Sequence, residues 1–304
     1  MHYNALNDHL RARFGRKVYK LSLRGVTTCP NRDGTVGSRG CIFCSESGSG
    51  EFAACGADIA AQLADARRRV ADKVPSDAGY IAYFQSFTNT YAPVETLRRL
   101  FTAAMAGEDI VALSVATRPD CLGKDVLDLL AELNQTKPVW VELGLQTVHE
   151  DSARYIRRGY DLGVFDEAVK RLKERGIEVI VHQIIGLRGE TEEMIYDTTR
   201  HIARSGADGV KFHLLHVLRR TDLAAEYEAG KFQTLTMEEY FRLLSGCIER
   251  IRPDMVIHRL TGDGAKRHLI APLWSGDKKA VLNALRRYLT EHDIVQGRLY
   301  EGED

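Results

Sequence analysis

The 304-residue sequence has no run of eighteen consecutive apolar residues, so no segment reads as a membrane-spanning helix. It also lacks an excess of either charge. Its 42 Lys and Arg balance 42 Asp and Glu, which excludes a global field drawing the chain toward nucleic acid or anionic membrane and leaves only local contacts with such partners. The opening segment MHYNALNDHLRARFGRK has no apolar stretch of the secretory kind, so the expected compartment is the cytoplasm, with no membrane partner. Cysteine is scarce, six in all, and in a reducing cytoplasm so few argue against a disulfide framework. No internal repeat or low-complexity tract is present, which excludes repeat architectures.

What the chain does contain is an alternation of strand-like and helix-like segments. With 44% hydrophobic content it can bury one sizeable core plus an extension. Short runs rich in Val, Ile and Leu predict strands at 17–23, 80–84, 110–115, 139–145, 178–185 and 209–215. Helical period lies between them, as where Ile59, Leu63, Ala66 and Val70 share one face while Asp65, Arg68 and Arg69 turn elsewhere. Near-continuous apolar strands alternating with helices imply an α/β class with a parallel sheet covered by helices. A complete eight-unit barrel takes about 250 residues, and the last clear strand ends near residue 215. The expected architecture is therefore a partial (β/α)6 TIM-like barrel over 1–230 with a C-terminal helical extension over 231–304. Beyond the sixth strand the sequence reads as helical from 223 to 249, strand-like at 256–260 and helical at 278–291.

Three of the six cysteines, Cys29, Cys41 and Cys44, share one Gly-rich polar loop placed directly between the first strand and the next helix. Thiolates are soft ligands suited to iron–sulfur clusters and zinc, and a Cys41-x-x-Cys44 pair in a reducing compartment favours metal or redox chemistry. Parallel β/α folds build their sites on loops that leave the C-terminal ends of strands, where this loop lies. If the three thiolates hold three irons of a 4Fe–4S cube, the fourth iron stays open to a cofactor or substrate. The competing explanation is a tetrahedral zinc site completed by Cys55, in a β/α protein that binds a ligand or nucleic acid without redox work. Residue spacing leaves both open. Cys55, Cys121 and Cys247 are too dispersed to signal a second cluster. His213 and His216, three apart along a strand, are expected on opposite faces and so not on one shared metal.

The segments Arg24-Gly-Val-Thr-Thr-Cys-Pro-Asn-Arg-Asp-Gly-Thr and Gly40-Cys-Ile-Phe-Cys resemble the cluster loop of radical S-adenosylmethionine (SAM) enzymes of the YhcC type. That loop has a longer first gap than the superfamily's usual Cys-x-x-x-Cys-x-x-Cys. Val141-Glu-Leu-Gly-Leu-Gln-Thr and Arg157-Arg-Gly-Tyr are similar to the catalytic subunit of the Elongator tRNA-modifying complex. The resemblance implies a 4Fe–4S cluster on Cys29, Cys41 and Cys44, with S-adenosyl-L-methionine on the bare iron. Reductive cleavage then gives methionine and a 5'-deoxyadenosyl radical that abstracts hydrogen from substrate. A flavodoxin- or ferredoxin-like electron donor is implied as well, together with an unidentified substrate for which RNA is one candidate.

By the same resemblance Gln146 and Arg158 contact the methionyl part of the cofactor, Glu142 faces its ribose and Gly186 lets backbone approach the adenine. Gln85, Ser86 and Thr88, in Phe84-Gln-Ser-Phe-Thr-Asn-Thr-Tyr, meet the methionine ammonium. His182 and Arg188 stand where related chains often carry Asp and Pro, so His182 is assigned no ribose role. Asp263 in Arg259-Leu-Thr-Gly-Asp-Gly and Trp274 in Ala271-Pro-Leu-Trp are expected on the substrate side, with the C-terminal extension closing the barrel mouth.

Overall fold

The computed structural model describes residues 2–48, 50–54, 56–262, 264 and 266–302. Cys55 and Asp263 lie outside the described residues. In chain order the elements are α1 (Leu6–Phe14), β1 (Val18–Leu23), α2 (Ile59–Val70), β2 (Gly79–Phe84), α3 (Val94–Met105), β3 (Ile110–Thr117), α4 (Lys124–Asn134), β4 (Val139–Gln146), α5 (Glu150–Tyr155) and α6 (Leu162–Lys173). They continue with β5 (Glu178–Ile185), α7 (Glu192–Arg204), β6 (Gly209–Leu214), β7 (Val217–Leu218), α8 (Asp222–Glu228), α9 (Met237–Arg250), β8 (Val256–Arg259), β9 (Leu269–Ala271) and α10 (Lys278–Glu291).

The main sheet runs β1-β2-β3-β4-β5-β6-β8, every neighbouring pair parallel and nearly all in chain order. This is the expected partial barrel, with a seventh parallel strand added by Val256–Arg259. Its strands form because Val, Ile and Leu fill both faces: in β4, Val139, Trp140, Val141, Leu143 and Leu145 are all buried. The outer face packs on the helices through one continuous core that includes Phe84, Phe101, Leu113, Leu127, Phe165, Phe212 and Tyr240. On the inner side a smaller group, Leu10, Val18, Ile81, Ala112, Trp140 and Ile180, plugs the N-terminal end. Helix α1 touches both β1 and β8, the two edges of the open sheet, and so covers the seam where the barrel does not close.

Two expectations need correction. Residues 223–249 are not one helix: α8 stops at Glu228, Gly230 takes φ +69°, and α9 restarts behind a capping box in which Thr236 and Glu239 satisfy each other's backbone N–H groups. No helix follows Cys44 directly either, since α2 begins only at Ile59, where the Asp58 side chain caps the Ala61 N–H. Among the described residues no helix is long and apolar enough to cross a membrane.

Phe101 is fully buried, with its ring centroid 5.3 Å from that of Phe84. Phe101→Ala is expected to cost about 3–5 kcal/mol in urea unfolding, whereas Leu273→Ala, at a side chain 74% exposed, changes stability by less than about 0.5 kcal/mol.

Candidate active site

The loop leaving β1 is held by one buried amide. Asn31 donates through Nδ2 to the carbonyls of Arg157 (2.7 Å) and Arg158 (3.3 Å) and to the Cys41 sulfur (3.5 Å). Its own carbonyl accepts from the Gly40 N–H at 2.7 Å. The facing turn must come close: a Cβ at Gly159, where φ is +80°, would stand 2.7 Å from both Asn31 Oδ1 and a Val36 methyl. Only glycine fits after Arg157 and Arg158. Between two of the thiols, Ile42 buries its side chain among Ile156, Ile184, Leu215 and Leu223. Its N–H donates to Ile156 and its carbonyl accepts from Leu223. Arg39 and Arg157 both pair with Asp222 of α8, at 2.8 and 2.5 Å.

So anchored, Cys29, Cys41 and Cys44 face a cavity of about 390 Å³ that also takes in the C-terminal ends of the strands. Burial pushes the Cys41 thiol up to about 12, and the neighbouring Cys44 and Cys29 add to it against the Asn31 hydrogen bond and the Arg118 charge. Two sulfurs close enough to oppose the ionisation of Cys41 make with it a donor set that a thiophilic, positively charged group would relieve. An iron–sulfur cluster therefore fits these residues. Cys55, the fourth thiol of the zinc alternative, is outside the described residues.

The inner layer below the thiols is polar, and each of β1 to β6 supplies one side chain to it: Lys20, Tyr83, Ser114, Glu142, His182 and Lys211. They converge on Glu142, whose side chain is fully buried. Lys20 Nζ and Ser114 Oγ donate to Oε1, both at 2.8 Å. Tyr83 donates to Oε2 at 2.9 Å, Lys211 also donates there, and His182 Nε2 lies 3.0 Å away. Burial alone would raise the Glu142 pKa, but Lys20 and Lys211 outweigh it and hold the carboxyl well below its usual range. Burial lowers His182 to about 4 against the pull of Glu142, so at neutral pH the ring is uncharged and donates Nε2–H to the carboxylate. Burial followed by the nearby Glu142 charge keeps Tyr83 a neutral phenol.

The structure treats the expected cofactor residues unequally. Gln85, Thr88, Glu142, Gln146 and Arg158 line the cavity. Ser86 and Gly186 are not among the described residues that do. Ser86 packs under Gly50, where an added Cβ would sit 2.6 Å from its own, and Gly186, at φ +95°, is met by Leu235. Arg158 is 2% exposed, and its guanidinium bonds the Thr147 and Tyr160 carbonyls and Glu150 at 2.6–2.9 Å, fastening the turn after β4. Glu142 has the five protein partners just described.

Sequence reasoning also missed some cavity residues. Arg118 and Tyr160 line the cavity, the Arg118 and Arg158 guanidinium groups lying 5.1 and 4.8 Å from the Tyr160 ring centroid. Lysines inside apolar strands, as in Val18-Tyr-Lys-Leu and Val210-Lys-Phe, were the signal for the inner layer. His213 and His216 were placed wrongly on opposite faces. Strand β6 ends at Leu214, the chain turns, and both rings reach the cavity beside Gly262. Trp274 faces the core instead of a substrate: its Nε1 donates to the Leu235 carbonyl at 3.0 Å and its ring packs on Tyr240 and Phe241.

Comparison with known proteins adds to this geometry. The Radical SAM superfamily model matches residues 31–202, and the Radical_SAM C-terminal domain model matches 207–291. The uncharacterized protein YtqA of Bacillus subtilis is 46% identical over 300 residues, covering 98% of this chain and 93% of its own. Protein YhcC of Escherichia coli is 37% identical, covering 96% and 93%. A tRNA uridine(34) acetyltransferase of Methanocaldococcus jannaschii is 28% identical over 138 residues, 44% of this chain and 25% of that protein. Among solved structures, Elp3 of Methanocaldococcus infernus superposes with a TM-score of 0.67 at 18% identity, covering 92% of this chain; this chain spans 64% of that one.

His182 titrates near 4 when folded and near 6.5 when unfolded. The unfolded chain therefore binds the extra proton first as pH falls, and stability drops from pH 6.5 down to pH 4. Between pH 7 and pH 5 this group is expected to remove about 2 kcal/mol. Urea midpoints should fall less steeply with pH in His182→Gln than in wild type; equal slopes would remove His182 from the titration.

Proposed function

Because this chain belongs to the radical SAM superfamily and is a radical SAM enzyme, we propose that Cys29, Cys41 and Cys44 carry its 4Fe–4S cluster through three irons and leave the fourth to S-adenosyl-L-methionine. Membership of that superfamily favours the cluster over the zinc-only alternative. The observation that carries the assignment is that these three thiols, spread over the first connecting loop, face one cavity at the strand ends. Once bound, the pair supplies a 5'-deoxyadenosyl radical able to take a hydrogen atom from substrate.

The chain's own residues do the rest. Asn31 and Ile42 fix the thiols before any metal arrives, so little ordering has to accompany cluster binding. Gln85, Thr88 and Gln146 offer amide and hydroxyl groups to the amino-acid end of the cofactor from the β2 and β4 sides of the cavity. Arg158 and Glu142, which also line the cavity, act through their protein partners: Arg158 holds the turn that bears Tyr160, and Glu142 holds the inner layer together. A wall of this kind keeps water ordered and few, which a reactive radical requires.

A flavodoxin- or ferredoxin-like protein is the proposed electron donor, and RNA the proposed substrate class. The partial identity to a tRNA uridine(34) acetyltransferase supports the second point.

Anaerobic reconstitution with iron and sulfide, followed by reduction with S-adenosyl-L-methionine, is expected to yield 5'-deoxyadenosine. Alanine at Cys29, Cys41 or Cys44 should bring both iron content and nucleoside to background. Alanine at Cys55, Cys121 or Cys247 should leave both intact. Retained activity in any of the first three variants, or loss of cluster in Cys55→Ala, contradicts the ligand assignment.

A further inference from the structure

Arg118 follows β3 directly and lines the cavity with the three thiols, yet none of the cofactor contacts proposed above uses it. A shared acceptor ties it to the cysteine loop. Its Nη1 donates at 2.8 Å to the Arg158 carbonyl, which also accepts from Asn31 Nδ2 at 3.3 Å, and the same Asn31 amide reaches the Cys41 sulfur at 3.5 Å. Gly159 lies against both side chains: a Cβ there would stand 2.7 Å from Asn31 Oδ1 and 3.4 Å from Arg118 Nη2. Arg118 and the thiols of Cys29 and Cys41 are close enough to act on one another's ionisation.

Asp120 binds the guanidinium through both oxygens, at 2.9 and 2.7 Å, but the pair is lopsided. The Arg118 side chain is 10% exposed and lines the cavity, whereas Asp120 is 21% exposed and is not among the described residues that line it. Arg158 and Glu150 repeat the arrangement more strongly, with the arginine 2% exposed in the cavity wall and the carboxylate 42% exposed outside it. Water and salt screen the more exposed member of each pair more effectively. Two formally neutral pairs therefore leave a positive field on the cavity side.

Resting on the reading that Cys29, Cys41 and Cys44 hold the cluster, we propose that Arg118 is a positioning residue for electron transfer, whose charge on the Cys41 side of the cavity raises the cluster's reduction potential. Reduction adds one electron from the flavodoxin- or ferredoxin-like donor and no atom, so the group held by the thiols gains one unit of negative charge. A fixed positive charge in a poorly hydrated wall stabilises that reduced form over the oxidised one. Arg118 itself bonds to nothing that reacts. It sets how readily the donor's electron is accepted, and without its charge the cluster loads as before but reduces less readily.

The test is a reductive titration of the anaerobically reconstituted full chain, with the reduced cluster read by electron paramagnetic resonance, in wild type, Arg118→Gln, Arg118→Lys and Asp120→Asn. All four are expected to load the same iron and to melt cooperatively. The midpoint should move to more negative potential in Arg118→Gln and stay near wild type in Arg118→Lys, which keeps the charge and loses the fork. In Asp120→Asn, where the compensating carboxylate is gone, it should move to more positive potential. A midpoint in Arg118→Gln at or above that of wild type overturns the proposal. So does an equal negative shift in Arg118→Lys, which would trace the effect to lost packing. If Arg118→Gln does not melt cooperatively, Asp120→Asn decides, and a negative shift or none there overturns the proposal. Any of these results in protein that loads its cluster leaves the ligand assignment standing. A wild type that takes up no cluster refutes that assignment and this inference with it.

Discussion

Glu142 carries its charge where water does not reach, and the inner layer of the barrel is organised around it. Lys20, Tyr83, Ser114, His182 and Lys211 come from five other strands, and each sends a polar atom to one of its two oxygens. A buried carboxylate with fewer partners would protonate or destabilise the fold. With these partners it ties β1 through β6 together by side chains as well as by backbone ladders. The register of the parallel sheet and the position of the chamber floor depend on that convergence, since a one-residue slip in any strand would turn its polar group to the outer, apolar face.

The chamber above is built from two halves of different character. On one side a loop with little regular structure bears the thiols, and its order comes from Asn31, from Ile42 in its apolar socket and from the two arginines on Asp222. On the other side the strand ends of β5, β6 and β8 and the segments that leave β6 and β8 present imidazoles and Arg259. Soft donors face hard, cationic ones across a gap large enough for small molecules. A division of this kind separates the group that supplies reactivity from the groups that choose what reacts.

Much of the fold was legible because parallel strands buried on both faces are near-continuous apolar runs. The fifth strand and the last helix fall where hydrophobic pattern alone puts them, at Glu178–Ile185 and Lys278–Glu291. The break between α8 and α9 was not, because the intervening residues keep a helical composition, and only the positive φ of Gly230 and the Thr236 cap reveal it. For the site, the three cysteines were readable from chemistry. The Glu142 layer was not assembled, because its members lie in six strands and no local spacing links them. Ser86 and Gly186 sit in motif-like segments, and their close neighbours, Gly50 and the Leu235 side chain, come from distant parts of the chain that no local spacing reveals. His213 and His216 show the same limit, as strand periodicity stops applying once the strand ends.

The claim on which the functional account turns is a cluster with one iron free of protein ligands. Mössbauer spectroscopy of the iron-57-reconstituted, oxygen-free protein, recorded with and without S-adenosyl-L-methionine, tests it most directly. The account predicts that one iron of the four changes its spectrum when the nucleotide is added, while the other three keep theirs. Four irons that all stay unchanged, or a preparation that takes up zinc and no cluster, would contradict it.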